Sequence, residues 1–378
     1  SKKQTTNNKI LNISKTLIFL ISFSLIIQII ISLYEGNEVY LRAGTYLIFY
    51  ILFYFYLEDL CKRRNLLNYN GFKQLIKAYV NFSVFILSTS VIIFTLVINN
   101  LIDIDSYNIP EVYGYEYNKE VDASSDFFID ADYLKAPFYL TIITSKARVE
   151  QLFPYVLNGM SYEPHIACFF LLPAFFLLPL FYKGFYLNLF RVLFLYFIFA
   201  SLSITAIITF FICFSFQILI LSRNYLIKFL FSVFLFVFVF NFFGSFDENR
   251  RFNPSNDYVF NFIQYKIFYS DSKMTSQGYL KNIFSPNELI GDGHLVIPEE
   301  NFFLDSRNGL FETVYFLLFY FLFIYAFFKF LKSNSDLKYF SFAILYVMLH
   351  SFKFPYHIIN YPYVFFIIYI SLKFLPII

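Results

Sequence analysis

Between Tyr225 and Phe243 the chain reads YLIKFLFSVFLFVFVFNFF, nineteen residues with a single charge, Lys228. At about 1.5 Å per residue such a run covers roughly the 30 Å of a bilayer's hydrocarbon core. It shows neither the alternation of a half-buried strand nor the polar face of a surface helix. At Gly244 the character changes. The next stretch, to Glu312, carries NRRFNPSNDY (249–258), DSKMTSQGYLKNIF (271–284) and SPNELIGDGHLVIPEENFFLDSRNGLFE (285–312), before a second apolar run, Thr313–Leu331. This alternation of apolar runs and polar connections places the chain in the membrane and leaves the chemistry to its polar loops.

The whole sequence agrees. Of 378 residues, 58% are hydrophobic and only 15% charged, and the mean hydropathy is +0.59. A water-soluble domain of this length carries more charge. Trp is absent while Phe and Tyr number 58 and 33; with abundant Asn, Lys and Ile, this bias fits an AT-rich coding sequence. The expected fold is an all-α polytopic membrane protein, one membrane domain over residues 1–378. Ten spans are read: Thr16–Tyr34, Ala43–Leu57, Tyr79–Leu101, His165–Tyr182, Tyr186–Ala200, Ile204–Leu221, Tyr225–Phe243, Thr313–Leu331, Tyr339–His350 and Tyr361–Pro376. No small-residue cleavage site follows the first apolar run, so it reads as a span rather than a removed signal peptide. Cys61, Cys168 and Cys213 show no disulfide or zinc spacing.

Charge orients the spans. With the N-terminus inside, the inner segments and inner helix ends hold seventeen of the 29 basic residues but only Glu58, Asp59 and Asp336 of the 26 acidic ones. The Cys61–Arg64 tetrapeptide, CKRR, is the densest basic connection. Basic residues are retained on the cytoplasmic side, so both termini are expected in the cytoplasm and the two long loops, 102–163 and 244–312, outside. The first loop carries a run of acidic residues from Asp103 to Asp132, which reads most simply as a solvated face. Its apolar part, Ala136–Ile143, is too short to span and is expected to lie at the interface.

Chemistry-bearing residues cluster at three places. The first loop ends with Arg148, Gly159, Glu163-Pro164 and His165, leading into a span. A charged pair at a membrane boundary can simply snorkel; an arginine there can also offer its planar fork to phosphate. The second place is the tight turn Ser201-Leu202-Ser203, whose hydroxyls can satisfy backbone groups. The third is the second loop. Lys273 opens a helix-like stretch, Met274–Phe284, a Ser285-Pro286-Asn287 turn follows, and then come Gly291-Asp292-Gly293-His294 and Asn301-Phe302-Phe303-Leu304 with Gly309. Glycines let backbone approach another group closely, and Asn301 is a natural helix start.

In this order the pieces resemble the O-antigen polymerase and ligase superfamily, membrane glycosyltransferases acting on undecaprenyl-diphosphate-linked glycans. Lys273 matches the basic residue that opens that family's amphipathic helix. Glu288-Leu289-Ile290-Gly291-Asp292-Gly293 is similar to its "P-L-L-G-x-G" turn, and Glu300-Asn301-Phe302-Phe303-Leu304 to its "H-N-x-x-L". Arg148, Gly159 and Glu163-Pro164 resemble its "R…G…E-P" lead, and Ser201–Ser203 its "T-x-S-R" turn. The resemblance covers about Lys146–Tyr320. It departs where the ligase His is Glu300, where the Arg after the turn is Ile204, and where the Arg at the helix start is Lys273. These departures fit the polymerase branch.

The resemblance implies a GT-C-like architecture of about ten to twelve helices in the bacterial inner membrane, acting externally without metal or cofactor. Its partners would be the undecaprenyl-diphosphate-linked donor and acceptor glycans, membrane lipid and a chain-length regulator protein, with no nucleic acid. Arg148 and Lys273 would stabilise charge on the leaving diphosphate, with Arg250, Arg251 and Arg307 in reserve. Glu163, His294 or Glu300 would take the acceptor proton, and Gly291, Gly293 and Asn301 would shape the binding loop. Three alternatives stay open: a lipid-linked oligosaccharide flippase, an O-antigen ligase, and a polyprenyl-phosphate-sugar transferase with Glu35 and Glu38 as its carboxylate pair.

Overall fold

The computed structural model describes positions within 16–34 and 44–55, and residues 69–102, 105–107, 133–135, 141–144, 149–161, 164–222, 224–244, 258–268, 310–333 and 338–351. The described residues are mostly helical. Three helical segments, Ile76–Ile98, Gly184–Ser201 and Ile204–Leu221, are long and apolar enough to cross a membrane, and shorter apolar stretches run over Pro164–Leu180, Tyr225–Phe238 and Tyr320–Leu331. The chain divides into two compact units, Tyr79–Lys273 and Ser1–Ala78 with Met274–Ile378.

The first helix, α1 (Tyr69–Ile98), enters the Tyr79–Lys273 unit. It begins at Tyr69 rather than at the expected Tyr79 because its first turns, with Lys73 and Lys77, are helix-competent polar sequence. It ends by a Schellman motif. The Leu101 N–H donates to the Leu96 carbonyl (2.9 Å) and the Asn100 N–H to the Val97 carbonyl (2.9 Å). Asn100 supplies the left-handed residue, φ 55°, a conformation that Asn tolerates better than most residues. Four short antiparallel strands follow: β1 (Asp105–Tyr107), β2 (Tyr133–Lys135), β3 (Ile142–Thr144) and β4 (Val156–Gly159), ordered β1-β2-β3-β4. Strands were not among the expectations for this loop. Ile142 and Ile143, the end of the stretch expected at the membrane interface, form instead the buried strand β3.

The expected span His165–Tyr182 is broken. Helix α2 (Pro164–Leu171) gives way to α3 (Pro173–Leu177) and a 3-10 turn, Leu178–Leu180. Pro173 has no N–H to continue the α2 ladder. The Tyr79 hydroxyl donates to the Phe170 carbonyl beside the break (2.7 Å), the kind of outside partner a broken helix needs in an apolar setting. Helices α4 (Gly184–Ser201), α5 (Ile204–Leu221) and α6 (Tyr225–Gly244) lie close to expectation. Rings of Phe175, Phe194, Phe210 and Phe214 join α3, α4 and α5, with Phe175 and Phe210 centroids 4.7 Å apart at 73°. The phenylalanine bias of the sequence thus becomes edge-to-face packing. On α6 the apolar side chains face outward, with Phe236 71% and Phe240 68% exposed. In water so large an apolar surface would be a liability; against hydrocarbon it is neutral.

The second loop contributes helix α7 (Val259–Phe268), whose Phe260 ring meets Phe238 of α6 edge-on at 6.0 Å. In the other unit, α8 (Leu310–Leu331) and α9 (Lys338–Ser351) form an antiparallel pair. It is held by stacked Phe330 and Phe340 (5.5 Å) and by the Tyr320 and Ser351 hydroxyls, 3.4 Å apart. Cys168 and Cys213 are buried and not joined in a disulfide. Cys61, the stretch Met274–Phe284 and the tenth expected span, Tyr361–Pro376, lie outside the described residues.

Candidate functional site

The end of the first loop is fixed by close packing. In the β3–β4 pairing Ile142 faces Gly159 and Ile143 faces Leu157, so Asn158 is the extra residue of a bulge. Gly159 closes it with φ 70°, and a Cβ built there would lie 3.0 Å from Phe197 Cζ and 3.2 Å from Ala167 Cβ. Strand β4 therefore lies so close to α2 and α4 that a side chain there would crowd them, in a backbone conformation that favours glycine. Deeper still, the Thr141 hydroxyl, at the edge of β3, donates to Ser90 Oγ at 3.0 Å, and both are buried. Ser90 stands two helical turns before the end of α1, about 12 Å along its axis, so the chain entering β3 is tied to α1 well inside the helix.

The connection between β3 and β4 turns back at Val149, whose carbonyl accepts from the Leu152 and Phe153 N–H groups (3.0 and 3.3 Å). The Phe153 ring sits edge-on to Phe94 of α1 (5.4 Å) and to Tyr196 of α4 (5.6 Å). Val149 itself is buried with Leu202 and Phe262, flanked by Ile204 and Val259. This cluster joins three stretches far apart in sequence: the end of the first loop, the turn between α4 and α5, and α7 of the second loop.

The turn is built around its middle residue. Ser201 Oγ donates to the Ile198 carbonyl (2.9 Å), as expected of a hydroxyl serving backbone, and lies 3.6 Å from Cys168 Sγ. Ser203 begins α5 without a side-chain cap; its carbonyl accepts the Ile207 N–H (2.8 Å). Leu202 takes the left-handed C-cap of α4, φ 44° and ψ 34°, and is 1% exposed. For a residue with a Cβ this conformation costs about 1–2 kcal/mol, which burying a leucine side chain, worth about 1.5–3 kcal/mol, offsets.

Of the positions named from sequence, Gly159, Pro164 and the Ser201–Ser203 turn fall within the described structure, while Arg148, Glu163, Arg250, Arg251, Lys273, Gly291, Gly293, His294, Glu300, Asn301 and Arg307 lie outside the described residues. Among the described residues no three His, Cys, Asp or Glu side chains stand together as a metal site would require. Phe153 and Phe262 were not singled out by sequence, where each is one apolar residue among many, and Leu202 was named only as the middle of a turn noted for its serines. No family model matches the chain, and no curated protein or solved structure matches it.

Proposed function

We propose that the chain is a metal-independent membrane glycosyltransferase of the O-antigen polymerase type, joining undecaprenyl-diphosphate-linked repeat units into O-antigen or capsular polysaccharide. It would work on the external face of the bacterial inner membrane, with both termini cytoplasmic and a GT-C-like helical frame. The motif order supports this reading, and one structural observation carries it further. Val149, next in sequence to Arg148, packs with Leu202 of the Ser201–Ser203 turn and with Phe262 of the second loop, so two of the stretches that resemble the family meet at one place, beside a helix that precedes Lys273.

In the proposed reaction an acceptor sugar hydroxyl attacks the anomeric carbon of a lipid-linked donor. The new glycosidic C–O bond forms as the bond to the diphosphate breaks, and undecaprenyl diphosphate leaves with the electron pair. Charge grows on the diphosphate oxygens, so cations aimed there, away from bulk water, lower the barrier. Arg148 and Lys273 take that role, with Arg250, Arg251 and Arg307 as further phosphate contacts. Glu163, Glu300 or His294 accepts the acceptor proton, and the Gly291–Gly293 turn with Asn301 lets backbone approach the substrate.

The test is turnover of the lipid-linked glycan pool extracted from the source cells, read as polymer ladders and released undecaprenyl diphosphate. Wild-type protein should extend single units. Arg148→Ala and Lys273→Ala should each slow this by on the order of 100-fold or more. Arg148→Lys should rescue only in part, because it loses the bidentate contact, and Lys273→Arg should be tolerated. Wild-type protein that leaves single units unjoined, or alanine variants both turning over at the wild-type rate, would refute the assignment.

A further inference from the structure

The left-handed leucine of the α4–α5 turn has a job that chain reversal does not explain. A left-handed C-cap is the natural place for glycine or asparagine. Here it holds Leu202, which is 1% exposed and packed between Val149 of the first loop and Phe262 of the second. Ile204, two residues on, and Val259, at the start of α7, pack against the same cluster. The first loop is held from the other side by Phe153 against Phe94 and Tyr196, and by Gly159 against Phe197. Outside the cluster, Phe260 of α7 meets Phe238 of α6. Leu202 is thus a side chain through which the end of the first loop meets α7.

We infer that Leu202 is a positioning residue: its side chain, fixed by the turn, sets α7 in register with the Val149 end of the first loop. The functional half of this inference rests on the polymerase reading; the geometric half does not. Leu202→Gly suits the backbone better than leucine while deleting the plug, so a role in ending α4 and a role in registering the loops give opposite results.

The test combines one geometric and one kinetic measurement in the full-length membrane protein. Val149→Cys with Val259→Cys is treated with a short bifunctional thiol reagent and the cross-link is mapped by peptide mass spectrometry. With Leu202 in place the pair should cross-link in high yield; with Leu202→Gly the yield should fall several-fold although the protein still inserts and runs as a single species. Turnover of the lipid-linked pool by Leu202→Gly should fall on the order of tenfold to a hundredfold through kcat, with KM little changed. Leu202→Met, which refills the volume, should restore both readouts. An unchanged cross-link in Leu202→Gly would overturn the inference whatever the enzyme does. A lost cross-link with normal turnover would leave the register real and remove its role in the reaction. If wild-type protein shows no polymerisation, the cross-link alone decides on Leu202 and the polymerase reading fails separately.

Discussion

Gly159 and Leu202 both occupy left-handed backbone, for opposite reasons. At Gly159 a side chain would crowd Phe197 and Ala167; at Leu202 a side chain is present despite the backbone, buried in an apolar cluster with Val149 and Phe262. Gly159→Ala should therefore cost about 1–3 kcal/mol from backbone strain alone, and more where Phe197 cannot retreat. A lowered melting temperature of the detergent-solubilised protein is the expected result; a wild-type melt would mean that β4 slides away freely. Sequence located both positions, Gly159 within a motif and Leu202 within Ser-Leu-Ser, but attached weight to the serine hydroxyls. A φ angle leaves no mark in a sequence when the residue is leucine. Arg148, Lys273 and the Gly291–Gly293 turn remain expectations from sequence alone.

At the scale of elements, uninterrupted apolar runs were legible, even the short Tyr339–His350 that became α9, whereas the proline break and the strands were not. Ile204–Leu221 has the expected bounds, and α4 and α6 differ from expectation by one or two residues at their ends, because hydrocarbon sets the length of a span. The proline break in Pro164–Leu180 was written in the sequence as Pro173 and Pro179, yet the run reads as continuous when only hydropathy is scored. The sheet had no comparable signal: its strands are three or four residues long, below the length at which alternation stands out. What fixes it to the helices can be tested at the Thr141–Ser90 hydrogen bond, which is buried inside α1's packing face. Thr141→Val or Ser90→Ala alone should each cost about 1–3 kcal/mol by leaving one hydroxyl without its partner. The double variant should cost less than their sum, with a coupling of at least roughly 0.5 kcal/mol. Strict additivity in thermal melts would show that the sheet is held by its apolar contacts instead.

At the scale of the molecule, the described ends of the two long polar loops meet. Val149 belongs to the loop over 102–163 and Phe262 to the loop over 244–312, and they share a buried cluster. The charge pattern adds a direction. The connection at Cys61–Arg64 is basic, whereas the first long loop holds a succession of carboxylates from Asp103 to Asp132; in the proposed orientation the retention of basic residues would put the former inside. Cysteines introduced at Asn118 and at Ser276 should both react with a membrane-impermeant maleimide in intact cells. Native Cys61 should react only after permeabilisation, and Cys168 and Cys213, buried in the fold, should give little background in either case. Labelling of Cys61 in intact cells would reverse the orientation and move the proposed reaction to the cytoplasmic side, where a lipid-linked unit made inside the cell would need no prior transfer across the membrane. Labelling at Asn118 without labelling at Ser276 would be the more damaging result, because the proposed site draws on both loops and the Val149–Phe262 cluster brings their described parts together.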